Sequence, residues 1–66
     1  MPRTLEELAA MIANRDMISY DEAWAAVCDC ATDMEHAFYN GSLDEAEDIL
    51  RMDLGLEPDY MDLFIF

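Results

Sequence analysis

Three short segments built to one pattern, Thr4-Leu5-Glu6-Glu7, Ser19-Tyr20-Asp21-Glu22 and Ser42-Leu43-Asp44-Glu45, decide most of what this chain can become. Each sets a hydroxyl three residues before a glutamate. In such a capping box the hydroxyl accepts from the glutamate's amide while the carboxylate turns back to the free amides at the helix start. The spacing predicts helices over 5–14, 20–39 and 43–54. Gly41 and Gly55 follow the second and third, where a left-handed residue closes a helix at little cost. Pro58 suits the first turn of a short fourth helix over 58–64. No stretch alternates in the manner of a strand, so the expected fold is all-α: a small bundle of three main helices plus a short C-terminal helix, in one domain covering residues 1–66.

Apolar residues recur at the spacing a helix requires. Leu5, Leu8, Ala9 and Ile12 form a stripe on the first helix; Tyr20, Trp24, Val27, Ala31, Met34 and Phe38 form one on the second. Leu43, Ala46, Ile49, Leu50 and Leu54 continue the pattern on the third. The long second helix is the expected spine, with Trp24 and the methionines filling the core. The terminal run Leu63-Phe64-Ile65-Phe66 is expected to fold back over the bundle in preference to mating with another chain, because monomers rarely leave such patches open.

Folding is secured by a 55% apolar composition, yet the chain carries sixteen carboxylates against three arginines and no lysine, a formal charge of −13. That charge repels itself and works against compaction. Seven acids have a folding role, since Glu6, Glu7, Asp21, Glu22, Asp44, Glu45 and Asp59 lie in first helical turns, where negative charge complements the helix dipole. Asp29, Asp33, Glu35, Glu47, Asp48 and Asp53 have none, being in the middle or at the end of a helix. Arg51 can reach Glu47 or Asp48, whereas the second helix contains no lysine or arginine.

The acids are unevenly placed: residues 1–20 hold three with two arginines, and residues 21–66 hold thirteen with one. Glu22, Asp29 and Asp33 fall within a narrow arc of the second helix opposite its stripe, and Asp44, Glu47 and Asp48 share a broader arc of the third. Glu35 flanks the stripe. A chain of this size exposes on the order of 4,300 Å², roughly 270 Å² per carboxylate, against roughly one charge per 100 Å² on duplex DNA. A polyanion-like surface therefore requires the acids to be gathered on part of the molecule. The candidate partner-binding residues are Glu22, Asp29, Asp33, Glu35, Asp44, Glu47, Asp48 and Asp53.

Other chemistry is sparse. Cys28 and Cys30 project on widely separated sides of a helix, which excludes a mutual disulfide and suits a reducing compartment. Asp33 and His36 make an i, i+3 pair resembling half of a carboxylate metal site, too little to specify one. Residues 44–48 lack the glycine and alternating oxygens of a calcium loop. With no nucleophile and base in a recognisable pattern and no glycine-rich phosphate loop, no enzyme activity, cofactor or metal is expected. The N-terminus carries no secretory pattern and no run approaches membrane length, so a soluble, cytoplasmic protein without a membrane partner is expected.

In size, charge and helix-only pattern the chain resembles the small acidic inhibitors made by bacteriophages, including anti-CRISPR and anti-restriction proteins that imitate DNA. That resemblance is one of kind and carries no shared motif. It implies a stoichiometric inhibitor in the bacterial host cell that occupies the basic DNA-binding surface of a defence complex such as a CRISPR effector. The charge of −13 disfavours direct contact with nucleic acid, and a monomer or weak dimer is expected. The alternative is a regulatory adaptor or antitoxin that meets its partner through the apolar C-terminus.

Overall fold

A computed structural model describes residues 2–65 and shows three α-helices, α1 (Leu5–Asp16), α2 (Tyr20–Tyr39) and α3 (Leu43–Leu54), followed by a 3-10 helix over Pro58–Phe64. No strand occurs among the described residues. The bundle is all-α, as expected, and the fourth element is 3-10 and not α.

The hydroxyls of Thr4, Ser19 and Ser42 cap the three helices by accepting from the amides of Glu7, Glu22 and Glu45 at 3.1, 3.1 and 3.3 Å. The glutamate turns back at the first helix alone among the described residues, where Glu7 Oε2 accepts from the amide of Arg3, the residue before the cap, at 3.0 Å and from the Thr4 hydroxyl at 3.4 Å. Each cap is worth about 1 kcal/mol. At the other ends, Gly41 and Gly55 take left-handed φ values of 75° and 65°. The amide of Gly55 donates to the Arg51 carbonyl at 2.8 Å and that of Leu56 to the Leu50 carbonyl at 3.4 Å, closing α3. α1 continues to Asp16, two residues past its expected end, and closes on Met17 at φ 57°. A non-glycine residue in this position carries a steric penalty of about 1–2 kcal/mol.

α2 packs against both α1 and α3, and the 3-10 helix packs on α3 and α2. The core comprises Leu8, Ala9 and Ile12 from α1, Ala23, Val27, Cys30, Met34 and Ala37 from α2, Ala46, Leu50 and Leu54 from α3, then Leu56, Met61 and Phe64. Full burial of a large aliphatic side chain contributes about 1.5–3 kcal/mol, and the alanines let the helix axes approach closely. On α2 the buried line sits about 60° around the axis from the expected stripe. Trp24, Ala31 and Phe38 are half-buried at its shoulder and Tyr20 is exposed, stacked on Trp24 with ring centroids 6.4 Å apart. The expectation that Trp24 and the methionines fill the core is thus corrected. Met34 and Met61 are buried, Met11 is half-buried, and Met17 and Met52 are exposed. Met1, like Phe66, lies outside the described residues.

Arg15 ties the end of α1 to the end of α3, its Nη2 donating to the Leu54 carbonyl at 2.8 Å. The same guanidinium pairs with Asp16 at 2.8 Å. α1 has 12 residues against 20 in α2, and the two are joined by a short turn, so the last two turns of α2 run past α1. No described helix is long and apolar enough to cross a membrane.

Candidate functional site

Every candidate carboxylate is exposed: Glu22, Asp29, Asp33 and Glu35 on α2, and Asp44, Glu47, Asp48 and Asp53 on α3. Two ion pairs occur among the described residues, Arg15 with Asp16 and Arg51 with Asp48 at 2.7 Å. Of the two partners open to Arg51, then, Asp48 takes it. The second helix meets none of the three arginines in an ion pair.

The fold brings three of the eight together. α2 and α3 run antiparallel, and their packing sets Asp53, near the end of α3, beside Asp33 and Asp29 of α2. Burial raises the Asp53 pKa above its ordinary value, and the neighbouring carboxylates of Asp33 and Asp29 raise it further. Asp29 and Asp33 are themselves one helical turn apart, about 5–6 Å between Cβ atoms. The result is a short row of carboxylates along the α2–α3 seam. Its opposing charges are not cancelled: no arginine pairs with any of the three.

The other five do not join that row as one cluster. Asp44 and Asp53 are nine positions apart, about 180° around the α3 axis, so Asp44 points away from the seam. Glu47 and Asp48 flank Arg51, which neutralises part of their arc. Glu22 sits in the first turn of α2, two turns from Asp29 on the same arc. Glu35 lies on the other shoulder of α2 and lines a groove. The molecule exposes 4497 Å², about 280 Å² per carboxylate, so local grouping and not mean density is what approaches the charge spacing of a nucleic acid.

That groove, about 600 Å³ and open to solvent, is the second surface of interest. Ala31, Thr32, Glu35 and Phe38 of α2, Leu43 of α3, and Phe64 and Ile65 of the C-terminal segment line it. No α1 residue contributes, because α2 runs past the end of α1. The expectation for the terminal run divides here: Phe64 is buried and Leu63 half-buried, whereas Ile65 remains 57% exposed. Leu43, placed in the core by its spacing, is 60% exposed at the groove's lip. The signal available in the sequence was the aromatic and aliphatic content of this end, but its accessibility depends on the relative lengths of α1 and α2.

Both cysteines are free, Cys28 exposed and Cys30 buried. Burial, followed by the charges of Asp53 and Asp33, pushes the Cys30 thiol up to about 12, so it stays protonated and inert. Its Sγ donates to Met34 Sδ at 3.7 Å. His36 is exposed beside Glu35 and Tyr39. Among the described residues no three His, Cys, Asp or Glu side chains are arranged to hold a metal ion. Compared with protein-family models, with curated proteins and with solved structures, the chain matches none.

Proposed function

We propose that the chain is a stoichiometric protein inhibitor that presents carboxylates in place of DNA phosphates and occupies the basic DNA-binding surface of a partner. The observation that carries the reading is the row Asp29, Asp33 and Asp53, exposed and without a cation partner among the described residues, which the fold assembles although the like charges oppose one another. Net charge alone does not require this grouping. A groove lined with lysine and arginine releases counterions on meeting DNA, and these carboxylates offer the same chemistry. The partner is a basic nucleic-acid-binding protein, with a CRISPR effector complex the form suggested by the resemblance to phage inhibitors. The chain itself, at −13, is repelled by phosphate.

The test is capture of a target from a bacterial lysate by the wild-type chain, followed by competition against labelled duplex DNA for that target. Displacement at low salt, fading as salt rises, is expected. The variant Asp29→Asn, Asp33→Asn, Glu47→Gln, Asp48→Asn should lose most of its potency. Inhibition with DNA still bound would refute the mimic. It would favour the second reading, a regulatory adaptor or antitoxin, which draws on the open groove at the C-terminal end.

A further inference from the structure

We propose that the groove between the end of α2, the start of α3 and the C-terminal segment receives a bulky apolar side chain from a basic amphipathic helix of the partner. The inference rests on the reading that the partner is basic, and it adds what the carboxylates alone lack, an apolar anchor.

The groove has the character of a side-chain socket. Phe38 and Phe64 give its lining two aromatic rings, Ala31 a small residue, and Leu43 and Ile65 exposed aliphatic side chains. Its volume of about 600 Å³ falls within the ~300–1,000 Å³ range of ligand pockets. The fold leaves these apolar groups open because α2 runs past α1, so a partner can reach them without disturbing the bundle.

Charge selects the occupant. Glu35 is the charged residue in the lining, and none of the three arginines contributes to it. Asp44 and Glu45 follow Leu43 directly, and Asp62 precedes the segment that ends at Ile65. An apolar socket set in a surface of −13 discriminates against an acidic or neutral apolar segment and favours one whose anchor is flanked by lysine or arginine. A helix docking by its apolar face is the recognition mode that fits an open groove with several apolar contacts. A second copy of the chain would bring the same negative charge against itself.

The probe is a synthetic 18-residue Lys/Leu helix with one tryptophan on its apolar face, compared with a peptide of the same composition in scrambled order and with oligolysine of equal charge. Binding is followed by titration calorimetry and by methyl and amide NMR shifts. The amphipathic peptide should bind at least tenfold more tightly than the scrambled one, with shifts centred on Ala31, Phe38, Leu43 and Ile65. Leu43→Ser and Ile65→Ser together should abolish that advantage while leaving oligolysine binding unchanged. Both positions are more than half exposed, so the fold should survive, which circular dichroism checks. Thr32→Trp, which fills the groove from an exposed lining position, should act in the same way.

Equal affinity for ordered and scrambled peptides, or an advantage that survives both groove variants, would overturn the proposal. Preferential binding of an uncharged apolar helix, or a concentration-dependent dimer abolished by the groove variants, would overturn it in favour of those occupants. The four-amide variant separates the underlying reading, since loss of oligolysine binding there tests the carboxylates and not the groove.

Discussion

Replacing Asp53 by asparagine should make the protein more stable. Asp53 is exposed, makes no ion pair among the described residues, and sits in the last turn of α3 beside Asp33 and Asp29 of α2, where the helix dipole also disfavours a negative charge. Taking a separation of about 6 Å for each neighbour in a solvent-like dielectric, each contributes about 0.7 kcal/mol of repulsion before screening, and a Debye length of about 10 Å at 0.1 M salt removes nearly half of it. With two neighbours and a few tenths from the dipole, the gain is about 1 kcal/mol. In a domain of this size that corresponds to a rise of about 4–8 °C in Tm. Thermal melts in 20 mM and 1 M salt provide the assay, and the gain should shrink to under half in 1 M salt. A Tm for Asp53→Asn equal to or below wild type at low salt would refute the argument.

The sign of the pH dependence follows from the same cluster. The folded pKa of Asp53 is raised, so its charged form opposes folding above that pKa; stability recovers as pH falls through it and the gain is complete below the ordinary value of 3.8. Asp16 behaves oppositely, because the hydrogen bond from Arg15 lowers its pKa; its contribution is present above 3.8 and is lost as pH falls further. Wild-type stability should therefore rise on mild acidification and turn down below 3.8, and Asp53→Asn should lose part of the rise. Arg15→Ala should cost about 1–2 kcal/mol by urea unfolding, since it removes a charged donor from the Leu54 carbonyl. Met17→Gly should stabilise by about 0.5–1 kcal/mol, relieving the left-handed φ of 57°; an unchanged urea midpoint would deny the strain. Thiol titration should find one fast cysteine, Cys28, and a second only on unfolding, because Cys30 is buried; two fast thiols would contradict that burial.

Helix starts were legible in the sequence because capping is local: Thr4, Ser19 and Ser42 each act on an amide three residues away. The ends of α2 and α3 were equally plain at Gly41 and Gly55. The end of α1 was not, since Met17 adopts a conformation its side chain disfavours. The face of α2 was not legible from spacing alone, because two neighbouring lines about 60° apart are both apolar. Ala23, Cys30 and Ala37 lie at the helix contacts, where small residues permit close approach, and the larger Tyr20, Trp24 and Phe38 sit at the margin. The row Asp29, Asp33 and Asp53 needed the register of α3 against α2, which no local pattern carries. The groove needed the difference in length between α1 and α2.

Among the described residues the interior contains no polar or charged side chain. Core and coat are therefore separable: the apolar set defines the bundle, and the carboxylates other than the helix-start acids and the arginine-paired Asp16 and Asp48 are attached to it without structural duty. Such a body can exchange one acidic pattern for another with little consequence for folding. Its surface is then free to follow a changing partner residue by residue, limited chiefly by the three capping positions that hold the helices in place.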